Sequence, residues 1–422
     1  MNDPSEIVII GAGLSGLACA KRLRECDISC TLLEASDAVG GRVRTDLVDG
    51  FRLDRGFQIY LTAYPEGKRV LDLPALQLKP FRRGALIRYR GRFCRFADPL
   101  QSPWHGMQSL FNPIGTFRDK FRVLFLAWSL SHGRPEQQWN RPEKMTLDLL
   151  RWNAKFTPHM IDHFFRPFFG GVTLDRELTT SSRLFRYLFR MFAWGEGAIP
   201  SAGMQAIPEQ LAAALPRDSI RLQTRVRAIE KGRITLTDDS ELSPRIIVVA
   251  TEGREAARLI GDAVPEPASR GLVTLYYTAI TPPVEEATLV PDGDGTGPVN
   301  HLVVLSQAAA SYAPAGQHLI SATVVGIPPD NDLALDNRAR SQLTEWYGRE
   351  VAQWRLLRID RIPDALPAQP AGALEPPQRP CRIYPGLYVC GDHRDNASID
   401  GALTSGFRTA QTLMDDRHRG IV

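Results

Sequence analysis

The hydrophobic pattern changes period within the first 35 residues. Residues 7 to 10 (Ile, Val, Ile, Ile) form an unbroken β-branched run, the pattern of a strand buried on both faces. Glycines 11, 13 and 16 end that run. Leu14, Leu17, Ala18 and Ala20 then fall at helical spacing, which predicts a helix over 14–24. A second apolar run at 30–33 completes a strand–helix–strand unit of about 30 residues. Between helix and second strand, Asp27 takes the left-handed turn position that glycine often fills, and Asp is among the few residues that tolerate it.

Strand patterns return in two more places. One zone runs from Ile220 to Thr251: "IRLQTRVRAIE" and "GRITLTDDS" alternate, Asp238 and Asp239 mark a turn, and "RIIVVAT" reads as another buried strand. The other is "GLYVCGD" at 386–392, followed by a helix from about Gly401 with Leu403, Phe407, Ala410 and Met414 on one face. Two blocks of different character separate these pieces. Residues 61–200 are rich in Arg, Phe and Trp, with helical patterns at 117–131 and 182–193. Residues 267–375 open with the strand patterns "LVTLYYTAI", "HLVVLS" and "HLISATVVG" and continue into a helix near 336–352. A proline-rich run, "PDALPAQPAGALEPPQRP", is expected to be irregular. The expectation is an α/β fold. A Rossmann-type nucleotide domain comes from residues 1–60, 200–266 and 376–422. An inserted α+β substrate domain with a helical insertion comes from 61–199 and 267–375.

Gly11, Gly13 and Gly16 form a G-x-G-x-x-G that follows a strand and opens a helix, the context in which this motif holds a pyrophosphate. The first glycine permits the tight turn, the second lets phosphates approach the backbone, and the third lets helix and strand pack closely. The helix N-terminus offers free N–H groups and positive potential. Glu34 ends the second strand, 18 residues after Gly16. A carboxylate there accepts hydrogen bonds from a ribose diol and repels a 2′-phosphate, which favours FAD or NAD over NADP.

The 422 residues are 43% hydrophobic and 23% charged, an ordinary globular composition, and the formal charge of +4 makes no case for nucleic acid. Six cysteines, three of them at 19, 26 and 30, do not form a disulfide framework; Cys26 and Cys30 lack the further ligands of a metal site. The opening "MNDPSE" is acidic, and no signal peptide is expected. No run of about 18 apolar residues predicts a spanning helix. A cytoplasmic location is expected, with peripheral membrane contact as an alternative.

After Glu34 comes "ASDAVGGRVRTD", in which Gly40, Gly41 and Arg42 set mobile backbone and a fixed positive charge beside the second strand. The stretch "GAGLSGLACAKRL…LLEASDAVGGRVRT" resembles the FAD-binding signature of the flavin amine oxidase superfamily, which includes protoporphyrinogen oxidases and phytoene desaturases. The resemblance is strongest toward the desaturase-like branch. It implies non-covalent FAD, with Glu34 and Ala35 at the adenosine ribose and Gly11, Gly13, Leu14, Ser15, Gly16, Gly41 and Arg42 around the pyrophosphate. "LDRGFQIY" at 53–60 resembles the segment passing close to the flavin ring, implicating Gly56, Phe57 and Gln58. "GAIPSAGMQAIPEQLA" at 197–212 is similar to a Gly-Met turn before a helix, and Val226 corresponds to a backbone contact with adenine. "VNHLVVLSQAAASYAPAGQHLI" at 299–320 resembles a strand–turn–strand of the desaturase and protoporphyrinogen oxidase branches. "YVCGDHRDNASIDGALTSGFRTA" resembles the closing flavin motif, implicating Gly391, Asp392 and the helix start at Ile399 to Ala402.

The resemblance implies hydride transfer from a substrate C–H bond to flavin N5, with oxygen or a quinone as final acceptor. Amine-oxidising branches typically carry a lysine in the second half of the chain; here none follows Lys231. Cys390 precedes the Gly-Asp pair, unlike the flavin-attaching cysteine of monoamine oxidases. The aromatic insertions, with Phe164, Phe165, Phe168, Phe169, Phe185, Phe189 and Phe192, suit an isoprenoid, carotenoid-like or porphyrinogen-like substrate, although most of these rings are expected in helix cores.

Helix 117–131 sets Arg118, Lys120 and Arg122 beside Phe121, Leu124, Phe125 and Trp128. The favoured reading is a core helix with a basic solvent end; the alternative is a helix lying on a membrane. Gln58, Tyr60, His301, Tyr312 and His393 are polar candidates near the flavin, none with an assigned catalytic role. An amine oxidase, a flavin-dependent isomerase and a non-enzymatic binding protein of the same fold are the competing readings.

Overall fold

The computed structural model describes residues 6–97 and 109–422; most of "MNDPSE" lies outside the described residues. The strand–helix–strand unit forms as β1 (Ile7–Ile10), α1 (Leu14–Arg24) and β2 (Thr31–Leu33), and Asp27 takes a φ of 56°. Later elements that position the site are α2 (Phe117–Ser131), α3 (Ser182–Trp194), β3 (Ile246–Val249), β4 (Ser269–Ala279), β5 (His301–Val304), β6 (His318–Val325), α4 (Asp332–Tyr347), β7 (Arg355–Pro367), β8 (Leu387–Val389) and α5 (Ile399–His418).

Two sheets organise the chain. In the first, the order is Ile220–Arg221, β2, β1, β3, β8, Arg382–Tyr384; the first five strands are parallel and the last antiparallel. Every residue of β1 and β3 is buried, as a strand covered on both faces requires. The second sheet is antiparallel, in the order Val290–Pro291, β5, β6, β4, β7. Its alternation sorts the two faces. Leu302, Val304, Ala322 and Val324 pack with Leu335, Ala339, Leu343 and Trp346 of α4, whereas His301, Val303 and Thr323 face a cavity between the sheets.

The structure departs from the sequence expectation in four places. "IRLQTRVRAIE" is two strands, because Gln223 adopts a φ of 52° and Gln223 and Thr224 donate to the Ser36 and Glu34 carbonyls; Val226–Glu230 then joins a separate three-stranded sheet. The helix expected at 336–352 starts earlier, capped by Asn331, and stops at Gly348, where φ is +83°. The C-terminal helix starts at Ile399 because the Ser398 hydroxyl accepts from Gly401 N at 2.9 Å. The proline-rich run is partly a strand. β7 continues through Pro363 to Pro367 because Pro363 falls where the register jumps from Ile362 to Leu366, and β7 is an edge strand that tolerates missing N–H donors.

The favoured reading of helix 117–131 is also corrected. Phe117, Phe121, Leu124, Phe125 and Trp128 are exposed on α2, with Phe125 at 64%, while Asp119, Lys120 and Leu130 are buried. Polar anchors turn the helix this way. The Asp119 carboxylate accepts from Thr116 N, Thr157 N and both threonine hydroxyls, and the Lys120 ammonium donates to the Leu110 and Asn112 carbonyls at 2.7 Å each. Among the described residues no helix is long and apolar enough to cross a membrane.

Candidate active site

A cavity of about 710 Å³ runs from the C-terminal ends of β1, β2 and β3 to the inner face of the antiparallel sheet. It is lined by Gly11, Gly13, Leu14 and Ser15 from the first turn; by Glu34, Ala35, Gly41 and Arg42 after β2; by Gly56, Phe57 and Gln58; by Val226; and by Gly391, Asp392, Ile399 and Ala402. Of the residues singled out from sequence as cofactor contacts, Gly16 alone does not line it. A Cβ at position 16 would stand 2.0 Å from the Gly11 carbonyl oxygen, so Gly16 serves the close packing of α1 on β1. A Cβ at Gly13 would meet nothing within 4 Å: it would project into the cavity at the α1 N-terminus.

The polar groups at this end are held from several directions. Glu34 accepts from Ala12 N at 2.8 Å and, through its other oxygen, from Ser36 N and Oγ at 2.9 and 2.7 Å. Arg42 pairs with Asp392 at 2.7 Å and donates to the Ala365 carbonyl, linking the loop after β2 to the C-terminal motif. Gln58 donates its amide to the carbonyls of Arg42 and Arg55, so it positions the loop that carries Arg42. The buried Thr251 hydroxyl, which also lines the cavity, has no partner in the protein.

These features fit a dinucleotide cofactor. There is a cradle that a Cβ would fill, a helix N-terminus, a cation, a carboxylate at the end of β2, and an unpaired buried hydroxyl. The start of α5, with Ser398, Ile399 and Ala402 in the wall, adds a second helix N-terminus.

The other end of the cavity is lined by Phe57, Phe81, Phe168, Val172, Leu188 and Phe192, with Arg82, Arg83, His301, Val303 and Thr323. Phe168 and Phe192 are the only members of the phenylalanine set that line it. Phe165, Phe169, Phe185 and Phe189 are buried in a ring stack with centroids 4.8–6.2 Å apart, and Phe164 stacks on Phe96. The carboxylates that line the cavity are Glu34, Glu252, Glu255 and Asp392, all at the ends of the parallel strands or on the helix after β3. From residues 61–97, 109–199 and 267–375 the charged lining residues are Arg82 and Arg83, with no carboxylate.

The polar candidates separate clearly. Tyr60, Tyr312 and His393 do not line the cavity. Tyr312 donates to the buried Asp54 carboxylate, which also accepts from Thr45 Oγ1 and Met204 N; burial pushes that carboxyl up to about 6. Burial pushes the His393 and His301 imidazoles down to about 4, and only His301 faces the cavity.

Sequence reasoning missed Thr251, Glu252 and Ser398 in the wall, and it did not foresee how Asp400, within the helix start it named, is held. The first two directly follow a buried parallel strand, and ligands gather at the carboxyl ends of such strands. Asp400 accepts from Glu66 N, Gly67 N and Tyr187 Oη, partners far away in sequence that no local pattern reveals.

Parallel sheet, glycine turn and closing helix together define a dinucleotide-binding fold. A family model described as flavin containing amine oxidoreductase matches residues 14–414, and the chain belongs to that family. Membership implies FAD as cofactor. The chain is 23% identical over 167 residues to protoporphyrinogen oxidase 2 of Arabidopsis thaliana, covering 40% of this chain and 32% of the plant enzyme. It is 47% identical over 45 residues to amine oxidase [flavin-containing] B of Mus musculus, covering 11% of this chain and 9% of that one. These matched stretches span well under two thirds of either relative. A solved oxidoreductase from Methanosarcina mazei superposes with a TM-score of 0.73 at 18% identity, covering 97% of this chain and 99% of that one, which shows the shared fold.

Proposed function

We propose that this chain is an FAD-dependent oxidoreductase that removes hydride from a hydrophobic substrate, isoprenoid, carotenoid-like or porphyrinogen-like, with oxygen or a quinone as final acceptor. The carrying observation is the charge of the cavity walls. The aromatic end has Arg82 and Arg83 and no carboxylate among the described residues, and a protonated amine has no counter-ion there. The branch resemblance and the missing lysine after Lys231 support the same reading.

In this reading residues 1–60, 200–266 and 376–422 form the cofactor domain, and 61–199 with 267–375 the substrate domain. Glu34 and Ala35 bind the adenosine ribose, and Val226 abuts the adenine. The glycine turn, Gly41 and Arg42 hold the pyrophosphate; Gly391 and Asp392 hold the ribityl chain; Gly56, Phe57, Gln58, Ile399 and Ala402 surround the flavin ring. Bound FAD supplies the hydride acceptor, and the protein orients the substrate and excludes water. Cys390 is buried in the strand end and does not line the cavity, which supports non-covalent binding. The exposed stripe of α2 supports peripheral membrane contact. It carries Arg118 and Arg122, and its one acid, Asp119, is buried and paired.

The test is anaerobic mixing of the yellow holoprotein with porphyrinogens, carotenoid precursors and simple amines. Bleaching by a porphyrinogen or isoprenoid is expected. Bleaching by an amine alone overturns the substrate class, product of unchanged mass indicates an isomerase, and a protein unable to take up FAD is a binding protein.

A further inference from the structure

His301 on β5 and Thr323 on β6 are register partners, so their side chains leave the same face of the sheet and both line the cavity. Both residues are almost fully buried, His301 at 4% exposure and Thr323 at 1%. The protein satisfies neither His301 Nε2 nor Thr323 Oγ1. Native interiors seldom leave such groups unpaired.

The proton on His301 can be located from its neighbours. Asn300 Nδ2 lies 2.9 Å from the Pro167 carbonyl oxygen and 3.1 Å from His301 Nδ1. A carbonyl only accepts, so the amide nitrogen, not its oxygen, occupies that position. An amide nitrogen only donates, so His301 Nδ1 accepts and is unprotonated. The neutral ring therefore carries its proton on Nε2, and burial keeps the ring neutral at neutral pH. Phe57 packs edge-on at 5.3 Å from the imidazole centroid and restricts its rotation. The result is a fixed N–H donor and a hydroxyl on paired residues that both line the aromatic end of the cavity, the end that also holds Arg82 and Arg83.

We propose that His301 Nε2–H and Thr323 Oγ–H together bind an acceptor oxygen on the substrate, a carbonyl or carboxylate, so that the enzyme selects oxygenated apolar molecules over pure hydrocarbons. This deepens the proposed function and rests on its reading of the cavity as a hydrophobic substrate site. His301 is here a specificity residue: it is neutral, donates without transferring its proton, and orients the substrate.

The experiment uses FAD-loaded protein and two probes with the same carbon skeleton, all-trans-retinal and its hydrocarbon counterpart axerophthene. Binding is read from the perturbation of the flavin absorbance spectrum. Retinal is expected to bind at least about tenfold more tightly than axerophthene, the effect of one or two hydrogen bonds. Thr323→Val, nearly isosteric, and His301→Phe should each weaken retinal about tenfold and leave axerophthene unchanged, while His301→Gln, which keeps a donor, should restore part of the preference. Flavin content of each variant reports folding. Equal binding of the two probes by the unaltered protein, or a Thr323→Val retinal affinity within about twofold of it, overturns the clamp and leaves the hydrophobic site standing. Failure of both probes to bind overturns the site reading and the clamp with it.

Discussion

One methyl group distinguishes the tasks of Gly13 and Gly16. At Gly13 a Cβ meets nothing within 4 Å but enters the cavity, so Gly13→Ala should leave apoprotein stability unchanged and weaken FAD about tenfold or more. At Gly16 a Cβ presses on the Gly11 carbonyl, so Gly16→Ala should cost about 3 kcal/mol of stability before any cofactor is added. Urea melts of apoprotein and quenching of FAD fluorescence separate the two effects. His393 makes a pH prediction. Its native pKa is about 4, below the ordinary 6.5, so between those values the unfolded chain binds a proton that the native chain does not. Its contribution is complete above pH 6.5 and is lost as pH falls toward 4, about 2 kcal/mol by pH 5. Buried Asp54, Asp395 and Asp400, raised to about 6, act in the opposite sense. The comparison is therefore between the unaltered protein and His393→Gln: the variant should lose about 2 kcal/mol less from pH 7 to pH 5 in urea midpoints. At this scale the glycines, Glu34 and Arg42 were legible because a motif of adjacent residues carries them. The Asn300–His301 tautomer was not, since Pro167 defines it from 133 residues away.

At the scale of elements, period and orientation are separate kinds of information. The sequence places an apolar stripe on α2 at helical spacing, yet the stripe does not say whether it faces core or solvent. Asp119 decides that through Thr157, 38 residues further on, and Lys120 through the Leu110 and Asn112 carbonyls shortly before the helix. The proline-rich run shows the same limit. Proline chemistry forbids a regular interior strand, but an edge with a register jump at Pro363 accommodates it. The exposed stripe leads to an expectation for the paired substitution Phe121→Ser and Phe125→Ser. Both rings are more than 60% exposed, so thermal stability should stay within about 0.5 kcal/mol of the parent. Co-sedimentation with phosphatidylglycerol vesicles should fall at least about fivefold, and salt should weaken what is left through Arg118 and Arg122. A parent protein that ignores these vesicles, or one whose stripe is covered in a dimer seen by sedimentation, rejects membrane docking by α2.

Across the whole molecule, the cavity closes only when distant parts of the chain meet. Arg42 and Asp392 pair across 350 positions, and α1 and α5 present their N-termini to the same space. Each of these pieces was readable alone, because a nucleotide turn and a strand–loop–helix have short-range signatures. The substrate end was not: its walls come from stretches around residues 57–84, 168–197, 272–303, 323 and 362, whose approach depends on packing in the inserted parts. In the proposed reading, in which Arg42 and Asp392 hold the cofactor, their ion pair should couple cofactor binding to global stability. FAD at about 100 times its dissociation constant should stabilise the native state by about 2.7 kcal/mol. Arg42→Gln removes the cation and leaves Asp392, 5% exposed, without its ionic partner, so the apoprotein should lose about 1–3 kcal/mol and the cofactor should restore little of it. Adding Asp392→Asn neutralises the stranded carboxylate. The double variant should therefore recover apoprotein stability while FAD still fails to raise its melting temperature as it does in the parent. If the double variant binds FAD with parental affinity, the pair is a structural tie between the chain ends and has no part in holding the cofactor.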